Sequence, residues 1–201
     1  MQLFDLQALP RVREPAAVCL GTFDGVHRGH QALLDATVAA ARQHGLTACA
    51  YTFDVPPAAV LGHTPTEVLT PIAEKAALMG AYGIDTVVYS HFDAAVAAHE
   101  AEWFFEELLL ERLRARHIVI GFHYHFGRFA RGDAELMRSF CEKKGVGLTV
   151  VPPVCLPDGT LISSSAIRDA LHRGDRRLAE TMLNRPLSQR EEVLLGGRYN
   201  E

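Results

Sequence analysis

The feature that most constrains this chain is an alternation. Short apolar runs rich in β-branched residues are separated by longer segments whose apolar residues recur at helical spacing, the pattern of an α/β domain built around a mainly parallel sheet. Ala16 to Leu20 reads as a strand, and from about Gly29 the residues Leu33, Leu34, Val38 and Ala41 fall on one helical stripe that Gly45 ends. Leu46 to Phe53 is a second strand, Pro71 to Met79 a helix with proline at its start, and Thr86 to Tyr89 a third strand. Glu100 to Leu113 is a strongly apolar helix, Ile118 to Gly121 a strand, Asp133 to Lys144 a helix, and Leu148 to Val151 a fifth strand.

No internal repeat or low-complexity linker interrupts this order, and a chain of 201 residues buries enough apolar surface for one domain without staples. The expected domain runs over residues 1–186. The segment 187–201 reads as a polar, irregular tail. The cysteines Cys19, Cys49, Cys141 and Cys155 form no C-x-x-C pair, so neither a zinc knuckle nor a dithiol redox site is expected. A formal net charge of −4 gives no broad footprint for nucleic acid or an anionic membrane, so an anionic ligand needs a local site. The N-terminus has no basic stretch followed by an apolar region, and no long apolar run occurs elsewhere. A cytoplasmic protein with small-molecule substrates is the expectation.

The local site is sought where a strand hands over to a helix. Gly21-Thr22-Phe23-Asp24-Gly25-Val26-His27-Arg28-Gly29-His30 occupies that place after the first strand. A helix N-terminus at the carboxyl end of a strand offers free N–H groups and partial positive charge to phosphate. Gly21, Gly25 and Gly29 permit close backbone approach. His27 and His30, three residues apart, can both donate to that phosphate. A second constellation, Ile162-Ser163-Ser164-Ser165-Ala166-Ile167-Arg168, opens a short helix ending near His172. Serines cap helix starts, and a guanidinium can grip phosphate oxygens through two parallel donors.

Together these motifs resemble the adenylyltransferase module of bacterial FAD synthetases, within the H-x-G-H nucleotidylyltransferase superfamily. The likeness runs through Leu69 to Lys75 and Ile118 to Asp133 and on to Pro186. It implies a Rossmann-like fold, ATP and FMN as substrates, Mg²⁺ carried on the ATP phosphates rather than by protein ligands, and release of pyrophosphate. By position it makes His27, His30 and Arg168 catalytic. It puts ATP against Gly21, Thr22, Phe23, Asp24, Gly25, Gly29, Ser163, Ser164 and Ser165. It assigns FMN to Phe53, His123, Phe126 and Arg128.

Departures from the family pattern concern the acceptor. Where the family has T-F-x-P-H-P this chain reads Thr52-Phe53-Asp54-Val55-Pro56-Pro57, with Pro56 at the histidine position, and His123 stands where an acid or amide is usual. The glycine-rich G-x-P-T-A-N segment of a fused riboflavin kinase is not present after Pro186, so riboflavin kinase activity is not expected of this chain. His123 and His125 could share a strand face as metal ligands, but two histidines make a weak site. Trp103, Phe104 and Phe105 read as helix packing rather than as a flavin platform. Two alternatives stay open: a nucleotidylyltransferase with another phosphorylated acceptor, and a nucleotide- or flavin-binding protein without turnover.

Overall fold

The computed structural model describes residues 1–9, 11–61 and 67–196. In chain order the elements are β1 (Gln2–Asp5), β2 (Ala16–Leu20), α1 (Arg28–His44), β3 (Thr47–Phe53), α2 (Pro57–Leu61), α3 (Ile72–Ala81), β4 (Thr86–Ser90), α4 (Ala94–Ala97) and α5 (Ala101–Trp103). A π-helical segment, Phe104–Arg112, continues α5. Then come β5 (Ala115–Gly121), a 3₁₀ turn at Arg128–Ala130, α6 (Ala134–Lys144), β6 (Gly147–Val151), α7 (Ser164–His172), α8 (Arg176–Leu183) and α9 (Gln189–Leu194).

The strands form one wholly parallel sheet of six in the order β1-β4-β3-β2-β5-β6. The expected five strands are all present, and β1 adds one at the edge, paired with β4 from Gln2↔Thr86 to Asp5↔Tyr89. Central β2 is buried along its whole length, and its alternate residues serve opposite faces. Val18 and Leu20 join Ile118 and Ile120 under Phe105, Leu108 and Leu109 of the π-helical segment. Ala17 and Cys19 join Val119 and Val87 under Leu34 of α1 and Met79 of α3. The helix stripe read from Leu33, Leu34 and Val38 thus faces the sheet, and α1 stops at Gly45, which adopts φ 64° and closes the last turn through its N–H to the Ala41 carbonyl.

The chain order reverses at β2, with β3 on one side and β5 on the other, so a crevice opens at the carboxyl ends of those strands. A third apolar cluster, built from α7, α8 and Leu69, closes one side of that crevice. Part of the expected irregular tail is ordered. Ser188 and Glu191 form a reciprocal capping box that starts α9, and the Glu191 carboxylate receives both terminal nitrogens of Arg185 at 2.7 Å. No helix among the described residues is long and apolar enough to cross a membrane.

Candidate active site

β2 ends at Leu20, and the chain turns through Gly21 to His27 before α1 begins. The turn is strained: Phe23 and Val26 hold φ values of 48° and 45°, and such a value is costly for a β-branched residue. What holds it is a set of donors on five other parts of the chain. The Thr22 carbonyl accepts from Lys75 Nζ at 2.8 Å and from Thr52 Oγ1 at 2.9 Å. The Asp24 carbonyl accepts from Ser164 Oγ at 2.9 Å, that of Gly25 from Arg185 Nη2 at 3.2 Å, and that of Val26 from Gln31 Nε2 at 2.9 Å. The Phe23 carbonyl closes the turn through Val26 N at 3.2 Å. Each carbonyl from Thr22 to Val26 is therefore drawn toward a donor within the protein.

The Asp24 side chain is 1% exposed. One of its oxygens accepts from the Thr70 N–H at 3.0 Å, and the other pairs with the Arg168 guanidinium, whose Nε donates to the Glu67 carbonyl at 2.7 Å. Gly25 N donates to Thr70 Oγ1 at 3.0 Å. Arg168 thus joins the two motifs that the sequence singled out, and it does so through Asp24. His172, one turn further along α7, contacts the Glu67 carboxylate at 2.6 Å and secures the same segment.

His27 is the N-cap of α1, its Nδ1 accepting from the His30 N–H at 3.4 Å, so the ring proton of the neutral imidazole lies on Nε2. The two imidazoles stack with centroids 3.7 Å apart and planes inclined by 18°. Gly29 makes room for this, since a Cβ there would stand 3.2 Å from the His27 ring. Burial lowers His27 to about 4. Burial first, then the neighbouring His27 and Lys75, hold His30 well below the usual histidine range. Both rings are neutral donors in the unliganded protein, and His30 Nδ1 is buried without a hydrogen-bond partner.

A cavity of about 760 Å³ borders this pair, within the size range of small-molecule sites. Gly21, Thr22, His27, Gly29, His30 and Ser163 line it with the helix start and its imidazoles. Phe53, Phe92, Trp103, Phe122, His123 and Phe129 line it with aromatic rings. The cavity wall holds five histidines, His27, His30, His99, His123 and His125, and no Lys, Arg, Asp or Glu among the described residues.

The remaining expected site residues are placed differently. Phe23 is fully buried against His30, at 5.1 Å between centroids, and supports the imidazole from behind. Asp24, Gly25, Ser164 and Arg168 brace the turn rather than line the cavity, and Ser165 is exposed on the first turn of α7. Phe126 packs into the core beside Phe104, with centroids 5.4 Å apart. Arg128 lies over the Phe129 ring and reaches Glu100 at 3.3 Å, outside the cavity. His125 Nδ1 lies 3.0 Å from the His123 carbonyl, and no three His, Cys, Asp or Glu side chains among the described residues are arranged to hold a metal ion.

Of the three aromatics read as helix packing, Phe104 and Phe105 are buried, but Trp103 is 37% exposed. It borders the cavity with His99 stacked on its indole at 3.5 Å and 8°. Its helical neighbours hid it, although its place one position off the Phe105, Leu108, Leu109 stripe was the available signal. The bracing roles of Lys75, Gln31 and Arg185, which donate to backbone carbonyls, and of Thr70, whose Oγ1 accepts from the Gly25 N–H, were not assigned from the sequence, because backbone partners leave no residue-type signature.

Residues 9–166 match the family model described as FAD synthetase. A relative from Geobacillus thermodenitrificans, provisionally named a bifunctional riboflavin kinase/FMN adenylyltransferase, is 36% identical over 173 residues, covering 86% of this chain and 92% of its own length. The bifunctional riboflavin kinase/FMN adenylyltransferase of Escherichia coli K12 is 31% identical over 185 residues. There the alignment takes in 92% of this chain and 59% of the relative, so this chain spans about three fifths of that enzyme. A solved structure from Streptococcus pneumoniae, named a macrolide-efflux protein, superimposes with a TM-score of 0.80 at 28% identity, over 92% of this chain and 60% of its own. The chain belongs to the FAD synthetase family.

Proposed function

We propose that this chain is an FMN adenylyltransferase, moving the AMP part of ATP onto the phosphate of FMN with release of pyrophosphate. One observation carries the reading: one cavity is bordered both by stacked, neutral imidazoles at a helix N-terminus and by uncharged aromatic rings. A nucleoside triphosphate suits the first part, the nucleotide end of this reading, and a flat heteroaromatic acceptor the second, its acceptor end.

The acceptor phosphate, with a second pKa of about 6, is largely ionised near neutral pH and needs no general base. One of its oxygens bonds to the α-phosphorus while the bond from that phosphorus to the bridging oxygen breaks, and pyrophosphate leaves with the electron pair. The protein supplies alignment and neutralisation of the growing charge. His27 Nε2–H, His30, the N–H groups that open α1, and Ser163 face the phosphates. Arg168 acts through Asp24, keeping α7 against the turn. We place Mg²⁺ with the ATP. The described cavity wall offers it no carboxylate, so phosphate oxygens and water would hold it, and it would supply positive charge to the polyphosphate.

The test is incubation with Mg²⁺-ATP and a panel of FMN, riboflavin, nicotinamide mononucleotide and phosphopantetheine, following pyrophosphate and flavin products. FAD and pyrophosphate from FMN is the expected result. Turnover of another acceptor would reassign the substrate. Binding without turnover would make the chain a binding protein.

A further inference from the structure

Lys75 takes no part in the chemistry above, yet it lies directly beneath it. From α3 its side chain runs under the ends of β2 and β3, fully buried, and Nζ donates to the Thr22 carbonyl at 2.8 Å and the Phe53 carbonyl at 3.0 Å. Thr22 and Phe53, which follow β2 and end β3, both border the cavity. The charged and titratable groups around the ammonium are Asp24 in the β2–α1 turn, Asp54 after β3 and His30 on α1. An isolated buried charge is expensive, and an apolar side chain of similar volume would cost the fold less. Packing alone does not explain a lysine here.

We infer that Lys75 is a positioning residue: by tying the Thr22 and Phe53 carbonyls to one nitrogen, it fixes the turn after β2 against the end of β3 where both border the cavity, and hence the line from acceptor phosphate to α-phosphorus. The inference rests on the adenylyl-transfer reading. A tie of this kind matters because reacting groups displaced by about 1 Å can lose on the order of 10² in rate. Its loss need not unfold the protein. Thr52 Oγ1 also donates its one proton to the Thr22 carbonyl at 2.9 Å, so that oxygen keeps a partner and only the Phe53 carbonyl loses its near donor. Burial lowers the ammonium to about 8, and a neutral amine still has two N–H donors, one for each carbonyl.

The substitutions are Lys75→Met, which removes both donors, and Lys75→Gln, which keeps a donor without the charge. With Mg²⁺-ATP and FMN, kcat should fall on the order of 10²-fold in Lys75→Met and less in Lys75→Gln, with the Kd for ATP within about threefold and Tm within a few degrees. An unchanged kcat in Lys75→Met, or a parallel fall of kcat, ATP affinity and Tm, would overturn the proposal. A second measurement needs no substrate. In ¹⁵N-labelled parent protein the amides of Phe23 and Asp54, each joined to a carbonyl that Lys75 holds, should titrate together with a midpoint near 8, and the titration should vanish in Lys75→Met. Phe23 and Asp54 amide shifts that are the same in the parent and in Lys75→Met would remove the tie. Should the parent fail to turn over FMN, the acceptor reading falls while these amides still decide the role of Lys75.

Discussion

The turn from Thr22 to Val26 and the loop from Phe122 to Ala130 border the same cavity and are held in different ways. Side chains from distant elements fasten the turn: Lys75 of α3, Ser164 and Arg168 of α7, and Arg185 beyond α8. The loop is held instead by backbone hydrogen bonds and by the packing of Phe126 into the core. Phe126 and Gly132 exchange backbone hydrogen bonds at 3.0 and 2.9 Å, His125 leans on the His123 carbonyl, and Phe122 and Phe129 are 60% and 71% exposed. A site that must present donors to a developing charge gains from rigidity, because reorganisation during reaction is then avoided. An end that accepts a flat ring gains from exposed aromatic surface.

If the turn is over-determined, removing a brace should show first in stability. Arg168→Ala leaves the buried Asp24 carboxylate without its cation, and breaking a buried pair in this way costs about 3–5 kcal/mol. Urea unfolding should record that loss, and Asp24→Asn in the same chain should recover part of it. Arg168→Ala with unchanged stability and abolished turnover would instead give the guanidinium to the phosphates, the role expected from the sequence.

At the same end, the imidazoles should show in rate. His27→Asn keeps a capping side chain at the start of α1, so its effect isolates the lost ring. His30→Ala removes the partner ring. Loss of one preorganised donor costs about 10²–10³ in kcat, and steady-state rates against circular-dichroism melts separate this from unfolding. The same rings dictate an acid limb. With His27 at about 4 when folded and about 6.5 when unfolded, the unfolded chain binds more protons between those values. Stability is therefore complete above that window and lost as pH falls through it, and His27→Asn should flatten the slope.

How much of this was legible in the sequence follows the same division. The strands β2 to β6, the face of α1, and the pairing of the glycine-rich turn with Ser163 to Arg168 could be read, because burial periodicity and helix-start chemistry are local. Edge strand β1 was not, since Gln2–Asp5 is four residues long and half exposed. The bracing of the turn was not legible either, because Lys75 and Arg185 act on backbone oxygens 53 and 160 residues away. At the acceptor end the family pattern itself breaks off at Pro56 and His123. His123 does border the cavity, whereas Phe126 and Arg128 do not.

Trp103 tests the acceptor end. Its indole is already covered by His99, so an incoming ring must either displace that imidazole or use the edge that faces the cavity. Aromatic contacts of this kind contribute about 0.5–1.5 kcal/mol, so Trp103→Ala should raise KM for the acceptor roughly 2- to 10-fold while leaving KM for ATP unchanged. An equal rise in both would show that Trp103 supports the whole cavity and that the two ends are not independent.

The smallest effect is expected at His91, beside the acceptor end, and its sign is opposite to that of the buried pair. His91 Nδ1 meets Asp54 Oδ2 at 2.6 Å and Nε2 lies 3.4 Å from Asp5 Oδ2, so one exposed imidazole links the last residue of β1 to the segments that follow β3 and β4. The hydrogen bond to Asp54, then its charge and that of Asp5, raise His91 above the ordinary histidine value. The folded protein therefore holds this proton more tightly than the unfolded chain does. The contribution is complete below the unfolded value of about 6.5 and disappears as pH rises through the folded one. Since the ring is solvated, salt and water screen most of the attraction, and the change should amount to a few degrees of Tm at most. His91→Gln keeps a neutral hydrogen bond to Asp54 and removes the charge. Melting curves across the neutral range should then lose their alkaline decline in His91→Gln while keeping the acid limb set by His27. If His91→Gln instead flattens the acid limb, the histidine assignments at the two ends are reversed, and the contrast between a rigid, neutral nucleotide end and a charged clasp beside the acceptor end fails.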